Sequence, residues 1–313
     1  MGLLPPTLDT TNLTWLGSRY EGKVRDCYAR GDLRILIATD RLSAFDKILT
    51  TVPFKGQVLT QLAEFWFNQC AHVVEHHVVA VPDPNVMVVN NVDIIPIEVV
   101  VRGYLAGSAW RDYSAGRSVS GVTLPSGMKE FDRLQSPLIT PSTKAPIGNH
   151  DIPISEDEIV QMGLVTAEIW RVVRAKALAL FAFGTTEVEK RELILADTKY
   201  EFGVREGRVV LADEIHTLDS SRFWMADTYQ ERIQRGEAPV MLDKEPVRRW
   251  LMDRGFSGEG AVPVISDEDR ASWMNHYLDS FERITGHSCN PNSSSPDERV
   301  ERNLRAYFAV AEC

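Results

Sequence analysis

Long apolar runs are missing from this sequence. Stretches such as Ile35–Ala38 and Val99–Val101 stop far short of the roughly 20 residues that cross a bilayer, so no membrane helix is expected. Cysteine is scarce and scattered. Cys27, Cys70, Cys289 and Cys313 form no CxxC pair and no cluster with histidine, which excludes a zinc ribbon and a disulfide framework and reads as reduced thiols. Basic residues number 34 against 44 acidic ones, and the resulting charge of -10 argues against a general nucleic-acid binder, whose ligand demands a basic face. Repeats of fixed period are absent. The first fifteen residues lack the basic and apolar regions of a secretory signal, so a cytoplasmic location is expected.

What is present is an ordinary globular composition, 44% hydrophobic and 25% charged in 313 residues, enough for more than one lobe. Strands are predicted over 33–38, 86–90 and 97–101, and the spacing of Leu59, Leu62, Trp66, Cys70 and Val73 predicts a helix over 57–76. On that helix His72 and His76 stand four apart, a zinc-binding spacing, but no third ligand accompanies them and they read as a wet helix end. Residues 114–150, rich in Gly, Ser, Thr and Pro, read as a long functional loop or an embellished hairpin. The capping box Ser155 to Glu158 opens a helix expected to run to Phe183 and to stop at Gly184. Two strands follow, over 192–204 and 208–214. A second capping pattern at Ser266 to Asp269, a stop at Gly286 and a last helix after Pro296 end the chain in helices. Strands with interspersed and then terminal helices indicate an α+β fold.

Gly17 to Val24 matches the GxxxxGK phosphate pattern only on the surface, because Val24 stands where a metal-binding hydroxyl belongs and a strand follows instead of a helix. It reads as a glycine-bearing hairpin that brings Lys23 and Arg25 to phosphates, as kinase glycine-rich loops do, or as a polar hairpin tip. More informative is 195–214. Alternation places Asp197, Lys199 and Glu201 on one strand face, and a tight turn at Glu206-Gly207 brings Glu201 opposite Ala212, one step from Asp213. Two such carboxylates can share one magnesium ion. Apolar flanks at 193–196 and 209–212 make this a buried pair of strands, where charges need a reason. Lys23, Arg25, Arg41, Arg102, Lys144, Lys199 and Arg222 all lie in motif contexts and together suggest a polyanion pocket.

Six ordered motifs carry a resemblance. Glu21-Gly-Lys-Val-Arg-Asp26, Ala38-Thr-Asp-Arg-Leu-Ser-Ala-Phe-Asp46, Val101-Arg-Gly-Tyr-Leu-Ala-Gly-Ser108, Thr140-Pro-Ser-Thr-Lys144, Asp197-Thr-Lys-Tyr-Glu-Phe-Gly203 and Asp219-Ser-Ser-Arg-Phe-Trp224 resemble those of the phosphoribosylaminoimidazole-succinocarboxamide synthase (SAICAR synthetase) family over about residues 17–250. The resemblance implies a two-lobed, ATP-grasp-related fold with antiparallel sheets and C-terminal helices. It divides the chain into a β-rich lobe at 1–111 with a nucleotide-covering hairpin, and an α+β lobe at 112–313 with the magnesium hairpin 192–214 and a helical extension 266–313. It implies a purine-biosynthesis ligase that joins carboxyaminoimidazole ribonucleotide (CAIR) to L-aspartate, with ATP as co-substrate and Mg2+ as cofactor, and with no nucleic acid, membrane or obligate protein partner.

Residue by residue, the resemblance assigns Lys23 and Arg25 to ATP phosphates and Glu201 and Asp213 to magnesium. It sets Arg102, Ser108, Lys144, Arg222, Ser43 and Asp46 around substrate, and makes Lys199 and Asp197 catalytic, Asp197 as a candidate base for the aspartate amine. Two departures stand out. Leu218 replaces a usual proline before Asp219, which is expected to loosen that loop, and Pro153 replaces a polar residue after His150-Asp151. The alternative, a kinase-like phosphotransferase, shares a glycine loop and paired metal carboxylates, but the chain has no HRDxxxxN loop and no DFG triplet.

Overall fold

The computed structural model describes residues 4–144 and 152–311. The chain opens with β1 (Arg19–Glu21), β2 (Arg25–Arg30) and β3 (Leu33–Ala38), then the hairpin β4 (Arg41–Ala44) and β5 (Lys47–Thr51). Helix α1 (Lys55–Cys70) leads to β6 (Val78–Asp83), β7 (Val86–Asn90) and the long β8 (Asp93–Tyr104). Next come α2 (Gly107–Ser114), β9 (Arg133–Thr143), α3 (Glu156–Gln161) and α4 (Ala167–Glu189). Strands β10 (Leu193–Arg205), β11 (Arg208–Ala212) and β12 (Ser221–Met225) precede α5 (Ala226–Gln234), α6 (Glu245–Asp253), α7 (Asp267–Thr285) and α8 (Pro296–Ala311).

Among the described residues every strand-to-strand pair is antiparallel, and α4, α5 and α8 pack on sheet strands, as an α+β reading requires. One five-stranded sheet runs β1-β2-β3-β7-β6, a second runs β11-β10-β8-β9 with β12 also paired to β10, and β4-β5 form a two-stranded sheet of their own. Two compact units result. The first holds the described chain up to Phe65, His77–Asn91 and everything described from Leu242 onward; the second holds Trp66–His76 and Val92–Met241. The division at 111/112 expected from sequence differs from this one. Strand β8 carries residues 93–104 into the second sheet by pairing with β10, and Val300, Leu304 and Phe308 of α8 join Ile35, Ile37, Val86 and Val88 in the first core.

In the second unit α4 supplies the cover of the sheet. Its buried residues Trp170, Val173, Ala177, Leu180, Phe181, Gly184 and Val188 recur at helical spacing, so one stripe faces β10 and β8. The helix expected to end at Gly184 instead breaks earlier, at Gly163 (φ +69°), and restarts at the Thr166 cap. Gly184 lies mid-helix because the His216 ring rests against it and leaves no room for a Cβ. Helix α1 ends at Cys70, short of His76. His72 packs on Phe183, and His76 packs on Phe67 and bridges to Leu211, so the two share no helix face. Both capping boxes and the left-handed Gly286 stop form as the sequence indicates.

Candidate active site

Strand β10 is the backbone of the site. Its register places Asp197 opposite Arg102 on β8 and Arg222 on β12, while Glu201 faces Glu98 on β8 and Ala212 on β11. Two charged rows therefore cross the sheet about four residues, roughly 13 Å, apart along one strand. The turn that sets this register has positive φ at Glu206 (52°) and Gly207 (76°), the type I′ geometry that matches strand twist.

The first row is cationic. Arg222 Nη1 donates to both oxygens of Asp197 at 2.9 and 2.6 Å, and Arg102 Nη1 adds a contact to Oδ2 at 3.3 Å. Arg102, 7% exposed, also donates from Nε to Thr140 Oγ1 at 2.8 Å and from Nη2 to Ser108 Oγ at 2.9 Å. Burial pulls the Arg102 guanidinium below its ordinary value, and Asp197 pulls the other way. Gly107, at φ +61°, lies so close to the Arg222 guanidinium that a side chain there would overlap it. Two guanidinium groups share one carboxylate, which leaves positive charge for an anionic ligand.

The second row is acidic. Glu201, 5% exposed, accepts from Lys144 at one oxygen and from Lys199 at the other, 3.1 Å away. Lys199 also donates to Glu98 at 2.7 Å. Burial works against the Lys199 charge, but Glu201, then Glu98 and Asp213, outweigh it and hold the ammonium above the ordinary lysine range. Glu98 and Glu201 face each other across the strands, an arrangement that is unfavourable unless cations separate them. Glu98 was not singled out from the sequence; its one signal is a lone charge inside the apolar run 94–101. Three carboxylates against two ammonium groups favour a divalent cation. No cage of three metal-ligating side chains exists among the described residues, and magnesium characteristically takes one or two carboxylates together with substrate phosphates. The donor set fits that ion.

The remaining sequence-assigned residues lie in the first unit. Lys23, at the β1–β2 tip, forms an ion pair with Asp46, both exposed. Asp46 sits in the β4–β5 turn, where Phe45 and Asp46 both have positive φ, and Ser43 lies on β4 opposite Ile48. Arg25 begins β2 opposite Ala38. The strand after this tip bears out the rejection of a P-loop. Arg41, counted from sequence with the pocket cations, is 3% exposed and spends its guanidinium on Asp26 and on the carbonyls of Asp9, Gly22 and Lys23. It is a strut of the hairpin tip.

In the loop after β11 Leu218 is buried and the neighbouring backbone is hydrogen-bonded. Thr217 N donates to Ser220 Oγ at 3.1 Å and Ser221 N to Thr217 O at 3.0 Å. Pro153 bridges to Ser142, while His150 and Asp151 lie outside the described residues.

Comparison with known proteins adds an independent line. The family model described as SAICAR synthetase matches residues 18–263. A phosphoribosylaminoimidazole-succinocarboxamide synthase of Bacteroides fragilis is 44% identical over 310 residues, covering 96% of this chain and 99% of that protein. One of Legionella pneumophila is 43% identical over 314 residues, covering 97% and 100%. The solved structure of a Saccharomyces cerevisiae SAICAR synthase complexed with SAICAR superposes with a TM-score of 0.80 at 31% identity, covering 91% of this chain and all of that one.

Proposed function

The chain belongs to the SAICAR synthetase family, and from that premise we propose how its own residues perform the family's reaction. That reaction is the ATP-dependent joining of the CAIR carboxylate to the amino group of L-aspartate, a step of purine biosynthesis that releases ADP and phosphate. The observation that carries the residue assignment is the pair of charged rows on β10.

A carboxylate is a poor electrophile, and ATP repels it, so the site must neutralise both anions while keeping water away from the activated carboxyl. Arg102, Arg222 and Ser108 hold the ribonucleotide's anionic groups at the cationic row. Lys199, fixed by Glu98 and Glu201, offsets charge developing on the phosphoryl group in transfer, and Lys144 supplies a second cation beside the substrate carboxylate. Lys23 and Arg25 contact ATP phosphates, and Ser43 and Asp46 contact substrate. Glu201 and Asp213 would hold Mg2+, which supplies charge neutralisation of the phosphates when bound. Asp197 gives both oxygens to Arg222; it takes the aspartate amine proton once Arg222 turns to the substrate. The finer kinship, an ATP-grasp-related fold, is supported by the two five-stranded antiparallel sheets and the helices around them. Among the described residues no helix is long and apolar enough to cross a membrane.

Omitting each substrate in turn tests this. ADP release is expected to require CAIR and aspartate together, and an 18O label in the CAIR carboxylate is expected in the released phosphate. ADP release that proceeds at full rate without aspartate would favour the kinase-like reading.

A further inference from the structure

We propose that Tyr200 and His216 are a positioning pair that sets the separation of Glu201 and Asp213 from the opposite face of the sheet. The inference rests on the metal reading given to those two carboxylates.

The loop between β11 and β12 carries two non-glycine residues in the left-handed region, Asp213 (φ 66°) and His216 (φ 49°). Such backbone persists only where the surroundings over-determine it. Around His216 they do. The ring is fully buried, its Nε2 is 2.6 Å from Tyr200 Oη, its edge meets the Trp66 ring at 4.8 Å, and its back rests on Gly184. Tyr200, Trp66 and Gly184 thus hold the ring on three sides. Tyr200 stands between Lys199 and Glu201 on β10, so its side chain leaves the sheet on the face opposite theirs. The hydrogen bond thus joins the residue beside Glu201 to the residue three beyond Asp213.

The far end of the same loop is also tied to β10. Lys199 N donates to Ser220 O at 2.9 Å, and Thr198 and Ser221 share a hydroxyl hydrogen bond of 2.8 Å. Asp213 is therefore caught between the last register pair, Glu201 with Ala212, and the His216 anchor. A divalent ion tolerates only about 0.5 Å of error in its ligands. Nothing in the proposed chemistry uses Tyr200 or His216, yet the fold accepts a missing Cβ in mid-helix to admit the ring.

The test is Mn2+ binding followed by electron paramagnetic resonance with saturating ADP, together with thermal melting, for the wild type, Tyr200→Phe, His216→Leu, His216→Gln and Glu201→Ala. Tyr200→Phe and His216→Leu are expected to weaken Mn2+ about tenfold or more, as loss of a ligand-orienting partner does. His216→Gln, whose amide nitrogen reaches the Nε2 position, is expected to recover most of that loss while melting as low as His216→Leu. Wild-type Mn2+ affinity in Tyr200→Phe, or affinity that merely follows melting temperature through the series, overturns the positioning role. Wild-type affinity in Glu201→Ala overturns the metal reading and the pair's role with it; weakened Glu201→Ala beside intact Tyr200→Phe overturns only the pair.

Discussion

Asp40 in the first unit and His216 in the second are both deeply buried and both pushed toward their neutral forms, yet acid acts on them with opposite sign. Burial raises the Asp40 carboxyl to about 6, against hydrogen bonds from the backbone of Leu8 and Gly56 and the charge of Lys55. Its contribution is complete below the unfolded value near 4 and is lost as pH rises through 6, about 3 kcal/mol in all. Burial lowers His216 to about 3. That contribution is complete above the unfolded value near 6.5 and is lost as pH falls toward 3, about 5 kcal/mol. The same dielectric cost thus protects one sheet from acid and exposes the other.

The largest expected effect follows directly. Between pH 6.5 and 4, amides of β10 and β8 should lose hydrogen-exchange protection while those of β3 and β7 gain it. Asp40→Asn should flatten the gain in β3 and β7, and His216→Gln the loss in β10 and β8; parallel profiles in both sheets would break the comparison.

Next in size is Asp197→Ala, which strands two partly or fully buried guanidinium groups and should destabilise by about 3 to 5 kcal/mol in denaturant titration, with activity lost. Gly184→Ala pushes a methyl group into the His216 ring and should cost about 1 to 3 kcal/mol, read in the same titration. Smallest in stability is Lys23→Met. Its pair with Asp46 is exposed, so unfolding should move by less than about 1 kcal/mol. The KM for ATP should nevertheless rise about tenfold, the loss of one charge-assisted contact. A large stability loss there, or none at Asp197, would reverse the contrast between the exposed pair and the buried row.

The legible parts of the fold were those set by local pattern. Alternation and the Glu206-Gly207 turn were enough to put Glu201 opposite Ala212, as the register has it. Both capping boxes were readable because each is closed by residues three apart. Glu98 was not readable as a site residue, since nothing nearby in the chain marks its pairing with a residue 103 positions later. Gly184 looked like a helix stop because a glycine's packing role depends on what lies against it, here a ring from a distant loop. Arg41 carried the motif of a ligand cation, but its partners are the Asp26 carboxylate and backbone carbonyls that only the folded chain gathers.

The central claim is that the two charged rows on β10 are chemically distinct, the Asp197 row serving the ribonucleotide's anions and the Glu201 row a divalent ion. Mn2+ affinity in the presence of ADP tests it most directly across the wild type, Glu201→Gln and Arg102→Met. The account predicts at least a tenfold loss in Glu201→Gln and wild-type affinity in Arg102→Met. Equal affinity in all three proteins, or a loss confined to Arg102→Met, would contradict it.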